Sequence, residues 1–278
     1  MGQLPWFGGA DVRVCLESMS GGIRAARRDS NPLGGTRMSV PPIESALPRI
    51  SSLCPAAAES AMSPTLQLSI LIVIAYLLGS IPFGLIVGLA KGVDPRKAGS
   101  GNIGATNVGR LLGGKFFALV FLLDMGKGLI PMLLGAAVLH HNASQSGYLL
   151  WLLVGFGAIA GHMFSIFIGF KGGKGVATAA GVALGVYPYY TFAAVIAILV
   201  FVAVFFITRI VSLASIVAAI VLPLAYIGLG LALKWDIFGS QLPLLIFAVL
   251  LSALIVYRHR SNIVRLLAGT ENKFVRKG

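Results

Sequence analysis

Between residues 65 and 258 the chain runs again and again through apolar stretches of bilayer-spanning length, about 20 residues, almost without charge. Seven such segments stand out, at about 66–90, 114–139, 148–168, 176–190, 192–208, 212–233 and 242–257. A segment in hydrocarbon must satisfy every backbone N–H and C=O within itself, so stretches this long and this apolar fold as helices. The expected fold class is therefore all-α: a polytopic integral membrane helix bundle of about seven spans. The fourth and fifth segments are short and Pro188 lies at their junction. The alternative is thus five full spans plus a short pair, either tilted or re-entrant. At 57% hydrophobic and 11% charged residues, an ordinary soluble domain is excluded.

Residues 1–61 differ in kind. They are rich in Gly, Pro, Ser, Ala and Arg without helical or strand period, and read as a disordered extension. They lack the apolar core of a secretory signal, and their acidic residues argue against a transit peptide. Met62, just ahead of the first apolar run, would make a natural start, so the expectation is a mis-assigned upstream start and a membrane domain over 62–278. Both cysteines, Cys15 and Cys54, fall in the extension, which leaves the membrane part neither a disulfide framework nor a thiolate site. No metal-ligand spacing occurs and no cofactor motif survives inspection, so neither metal nor cofactor is expected.

The net charge of +13 belongs to loops rather than to a nucleic-acid surface. With the first loop cytoplasmic, that side receives Lys91, Arg96, Lys97, Arg110, Lys115, Lys171, Lys174, Arg209, Arg258, Arg260, Arg265, Lys273, Arg276 and Lys277, and the other side only Lys234. The positive-inside bias is decisive, and membrane lipids, not nucleic acid, are the expected partners.

Three polar stretches break the apolar pattern, all on that same face. The first, Gly99 to Arg110, holds Ser100, Gly101, Asn102, Gly104, Thr106 and Asn107. Its G-x-G-x-x-G is not a dinucleotide fingerprint, because it follows a membrane span instead of a parallel strand. Glycines that allow close backbone approach, small side-chain donors and a forked guanidinium nevertheless suit an anion. The second, Lys171-Gly172-Gly173-Lys174-Gly175, lacks the P-loop spacing but places two lysines at a helix N-terminus. The third follows the last span, where His259 and Asn262 share a face among Arg258, Arg260 and Arg265. Taken singly, each also reads as a turn or an electrostatic anchor. Within the second span Asp124 and Lys127 sit at i, i+3, the spacing of a buried ion pair. His162 reads as a packing residue, and Ser80–Gly84 as a break in the first span.

In order, the three stretches resemble the signature blocks of the acyl-phosphate:glycerol-3-phosphate acyltransferase family (PlsY). The blocks are GSGNIGATNVGR at 99–110, KGGKGVAT at 171–178, and His259 through Asn262, Arg265 and Gly269 to Glu271. The resemblance covers about 62–278. It implies a bacterial inner-membrane enzyme that moves a fatty acyl group from acyl phosphate to the 1-hydroxyl of glycerol 3-phosphate. The products would be lysophosphatidic acid and phosphate, in the first step of phospholipid synthesis. It further implies catalytic roles for Ser100, His259 and Asn262. Glycerol 3-phosphate contacts fall to Arg110, Lys171, Gly172, Gly173 and Lys174. Acyl phosphate contacts fall to Gly101, Asn102, Gly104, Thr106 and Asn107, and structural roles to Asp124, Lys127 and Glu271. No histidine has an Asp five residues later, so the H-x-x-x-x-D chemistry of soluble-type glycerolipid acyltransferases is absent. The second class, a transporter of a phosphorylated solute, would put its polar groups near the midplane rather than on one face.

Overall fold

A computed structural model describes residues 62–139 and 145–274; the extension, with its expected disorder and its cysteines, lies outside the described residues. Each apolar segment is helical, and no strand occurs among the described residues. Two collinear pieces, α1 (Pro64–Ser80) and α2 (Phe83–Ala90), make the first span. They are followed by α3 (Ala105–Leu112), α4 (Gly114–Leu139), α5 (Gln145–Met163), α6 (Val176–Gly185), α7 (Tyr189–Thr208), α8 (Val211–Ala232), α9 (Leu242–Arg258) and α10 (Arg260–Leu267).

Among the described residues, five helical stretches are long and apolar enough to cross a bilayer: 64–90, 114–139, 146–168, 189–208 and 211–232. A sixth appears if α9 and α10, bent by 60° at their junction, count as one broken span. The structure thus follows the lower of the two expected counts. It also corrects which segment is short. The 20-residue α7 is a full span, whereas α6 has only 10 residues, capped by Gly175 and ending ahead of Pro188.

Packing follows the small residues. Gly79 and Gly161 bring α1 against α5, since a Cβ on either would strike the backbone of Ala158 or Tyr76. Gly128 and Gly181 do the same for α4 and α6 at Thr178 and Met125. Such contacts suit helices in lipid, where close backbone approach replaces the hydrophobic effect as the adhesive. Large apolar residues such as Val73, Leu122, Leu199 and Leu224 point outward, as lipid-facing side chains do. Arg209 precedes α8 and Arg258 ends α9, while Lys234 sits in the turn between them, so the charge asymmetry of the sequence holds along these helices.

Candidate active site

Segments far apart in sequence enclose a cleft of about 390 Å³. Ser100, Asn102, Gly104, Thr106, Asn107 and Arg110 enter it from the first polar stretch, Lys174 and Gly175 from the second, and His259, Asn262 and Glu271 from the third.

The first loop is wound around one buried amide. Asn107, 1% exposed, donates from Nδ2 to the carbonyls of Pro95 (2.9 Å), Ala98 (3.0 Å) and Asn102 (2.9 Å), and its Oδ1 accepts from the Ser100 N–H (2.8 Å). The turn this demands puts Gly99 at φ 61 and Gly101 at φ 71, a region that favours glycine. Asn102 Oδ1 accepts from Gly104 N (2.8 Å), so α3 starts at the cleft wall. Gly104, Ala105 and Thr106 at its N-terminus line the cavity, the end of a helix where backbone N–H groups lack i−4 partners. Two sequence expectations change here. The Asn107 amide is consumed by the loop instead of pointing at a ligand, and Gly101 is exposed and outside the cleft.

In the second loop, Gly172 N and Gly173 N donate to the carbonyls of Met163 and His162, each at 3.1 Å, and pin the loop to the end of α5. Gly175, at φ 83, then turns the chain into α6, whose N-terminus also opens on the cleft. Lys174 points in. Lys171 does not: it is exposed and apart from the cleft, against the expectation, and Gly172 and Gly173 act behind the wall. The Lys174 ammonium donates to Asn262 Oδ1. Burial holds its pKa down to about 8, with Glu271 opposing and Arg265 adding to the drop.

At the third stretch the 60° bend places His259 in the wall, 2% exposed. Its Nδ1 lies 2.8 Å from the carbonyl of Ile255, and a carbonyl only accepts, so Nδ1 carries the proton and Nε2 the lone pair. Burial first, then neighbouring Lys174, lowers its pKa to about 4, leaving a neutral imidazole at neutral pH. Asn262 is clamped from behind: its Nδ2 donates to Glu271 Oε1 (2.7 Å). That carboxylate also accepts from Ser212 Oγ (2.9 Å) and from Arg265 Nε (2.8 Å). Burial pushes the Glu271 carboxyl up, but these hydrogen bonds outweigh it and hold it below its ordinary value. Asn262 is the arm that links Glu271 to Lys174.

The charge balance favours an anionic guest. Arg265 is spent on Glu271, whereas Arg110 and Lys174 form no ion pair among the described residues. Arg110 donates from Nη2 to Asn272 O (3.0 Å), and its buried Nε has no partner among the described residues. Two cations and two helix N-termini converge on one cavity, which suits phosphate.

Behind the cleft the expected Asp124–Lys127 pair is formed, at 2.8 Å. Lys127 also donates to Ile81 O (3.0 Å), and Ser165 Oγ to Ser80 O, so both serve carbonyls freed by the break between α1 and α2. His162 Nδ1 lies 3.6 Å from Asp124, and both residues reach the cleft wall. The sequence reading missed His162 as a wall residue, along with Ser212, Ser215 and Ser261 and the rings of Phe117, Phe121 and Phe201.

The profile of the family described as "Glycerol-3-phosphate acyltransferase" matches residues 69–269. The chain belongs to that family. The glycerol-3-phosphate acyltransferase of Aquifex aeolicus is 46% identical over 206 residues, which cover 73% of this chain and 97% of that relative. The one from Trichlorobacter lovleyi is 46% identical over 201 residues, 72% of this chain and 94% of the relative. Among solved structures, PlsY, an integral membrane glycerol 3-phosphate acyltransferase, is similar in its glycerol 3-phosphate form with a TM-score of 0.65 and 44% identity. That match covers 75% of this chain and 96% of PlsY. Its lysophosphatidic acid form gives a TM-score of 0.63. Membership in the glycerol-3-phosphate acyltransferase family makes the chain an integral membrane acyltransferase and ties it to phospholipid synthesis.

Proposed function

We propose that this chain transfers a fatty acyl group from acyl phosphate to the 1-hydroxyl of glycerol 3-phosphate, giving lysophosphatidic acid and inorganic phosphate. The site would face the cytoplasm from a bacterial inner membrane. The observation that carries this reading is the pairing of Arg110 and Lys174, two cations that form no ion pair among the described residues, with a neutral His259 whose Nε2 carries the lone pair in the same cleft. Glycerol 3-phosphate and acyl phosphate both bring phosphate, and relatives of this chain are named or described with glycerol 3-phosphate and lysophosphatidic acid.

In this reading Arg110 and Lys174 grip the phosphate of glycerol 3-phosphate. The N-terminal N–H groups of α3, with Ser100, Asn102 and Thr106, hold the acyl phosphate. His259 accepts a hydrogen bond from the 1-hydroxyl and orients it. The hydroxyl oxygen attacks the acyl carbon, the bond from that carbon to the phosphate oxygen breaks, and the hydroxyl proton ends on the departing phosphate. Phosphate is a good leaving group, so positioning and charge neutralisation supply most of the rate. An imidazole with a pKa of about 4 is a weak base, which favours orientation over proton abstraction. Direct transfer is preferred to a Ser100 acyl-enzyme because no base is hydrogen-bonded to the Ser100 hydroxyl among the described residues.

The test is phosphate release by the purified full chain from dodecanoyl phosphate, with and without glycerol 3-phosphate, beside dodecanoyl-CoA as donor. Acceptor-dependent release with lysophosphatidic acid formed is expected. Transfer from the thioester alone, or a labelled ester on Ser100, would overturn the donor or the route respectively.

A further inference from the structure

An apolar groove continues inward from the cleft, and Phe121, Val176, Phe201 and Ser215 line both. Its wall is written on the helical repeat. Along α7, read towards its start, Phe201, Ala197 and Ala194 follow one another on one face, and along α8 so do Ser215, Ala219 and Leu222. Small side chains keep the groove open. The next residues on the two stripes, one turn further in, are Tyr190 and Tyr226. Both are 0% exposed, and their rings meet edge-to-face with centroids 5.1 Å apart. Each is tethered, Tyr190 by its hydroxyl to Leu244 O and Tyr226 by its hydroxyl to Gln241 Oε1 (3.0 Å). Two rings so held lie one helical turn beyond Ala194 and Leu222, the last groove-lining residues on the two stripes.

We propose that the Tyr190–Tyr226 pair is an acyl-length stop. This inference rests on the acyl-transfer reading above. From Val211 in the cleft wall to Leu222 above the rings, α8 advances about 16 Å, the extended length of a chain of roughly fourteen carbons. A donor up to that length seats its carbonyl in the cleft with its terminal methyl above the rings. A longer one must lift its carbonyl away from Arg110 and Lys174, or press on tethered side chains. Because the donor arrives from lipid as apolar as the groove, each added methylene gains little. Selection therefore comes from the stop, not from burial.

The test measures kcat/KM for acyl phosphates from eight to twenty carbons, using the full chain in lipid nanodiscs. The wild type is expected to hold a plateau up to about fourteen carbons and then fall roughly tenfold or more within two to four further carbons, the cost of overfilling a packed site. Ala194→Phe should raise the floor by one turn and bring the cut-off down by about four carbons, and Tyr226→Ala should move it up by a similar amount. If Tyr226→Ala does not fold, Ala194→Leu supplies a second, milder shortening. A plateau running through twenty carbons, or a cut-off that stays put in a working Ala194→Phe or Ala194→Leu enzyme, would overturn the stop. If the wild type uses no acyl phosphate but does use acyl thioesters, the donor reading fails and the same length series on the thioesters decides the stop. If it transfers no acyl group at all, both fall.

Discussion

The imidazole of His162 occupies the space that a Cβ on Gly173 would need, and the carbonyl of His162 accepts the Gly173 N–H at 3.1 Å. One residue of α5 thus sets, by side chain and backbone together, where the chain can pass one position before Lys174. Gly173→Ala is expected to displace the loop and with it the ammonium. The KM for glycerol 3-phosphate should rise by between roughly tenfold and a hundredfold, since small misplacements of a gripping group cost that much. Combining it with His162→Ala should recover part of the loss. Steady-state kinetics of the two single variants and the double variant measure the coupling, and strictly additive losses would count against this account.

Lys174, with its pKa lowered to about 8, is mostly charged only below that pH, and the proposed grip on glycerol 3-phosphate needs the charge. As pH rises through about 8 the ammonium loses its proton, so kcat/KM for glycerol 3-phosphate should fall about tenfold per unit above that point. Lys174→Arg keeps its charge and, if active, should lose this alkaline limb. A pH profile of both enzymes between neutrality and pH 10 checks it.

Glu271 gathers Ser212, Asn262 and Arg265 on one carboxylate. Its replacement by Ala should free Asn262 and Arg265, lower kcat/KM at least tenfold and cost about 1–3 kcal/mol of stability, the loss of hydrogen bonds to a charge. Arg265 is 40% exposed, so solvent screens its share of that cost. Kinetics alongside thermal unfolding in the same detergent separate the two effects.

Removing one charge of the Asp124–Lys127 pair strands the other at membrane depth. Lys127→Met alone should therefore be more destabilising, by several kcal/mol, than Lys127→Met with Asp124→Leu. Unfolding of the single and double variants is the measurement. A double variant less stable than the single would argue that Asp124 stabilises the bundle on its own account, through neighbouring His162.

The Aquifex aeolicus relative aligns over 97% of its length with 73% of this chain. We propose that residues 62–278 carry the enzyme, and expect them, expressed alone, to restore acyl transfer to membranes at the rate of the full chain. A silent but well-folded 62–278 would assign the first 61 residues a part in the reaction.

Much of this was legible because it is local. Apolar runs announce helices, and glycine next to lysine before a helix announces an anion site. His259 and Asn262, three apart, declare a shared face. What was not legible is what depends on packing between helices. His162 looked like a core histidine because nothing near it in sequence marks it; only the approach of α5, α4 and the 171–175 loop makes it a wall. Asn107 looked like a ligand because asparagine beside glycine can serve either a loop or a guest, and spacing does not say which. That Lys171 turns outward while Lys174 turns in is set by the path of the loop, which spacing does not give. The brevity of α6 was hinted at by Pro188, but the full span of α7 was not, since its boundary is set by the turn at 186–188 and not by composition.

Because Phe121, Val176, Phe201 and Ser215 belong at once to the polar cleft and to the apolar groove, a substrate held across them lies half in each solvent. On the proposed reaction the acyl chain never crosses water: it comes from the leaflet and goes back to it bearing a different headgroup. Such an enzyme counts one substrate per litre and the other per lipid. Diluting the donor with inert phospholipid at constant bulk concentration should then slow it as surely as removing the donor, while the same dilution leaves its hunger for glycerol 3-phosphate untouched.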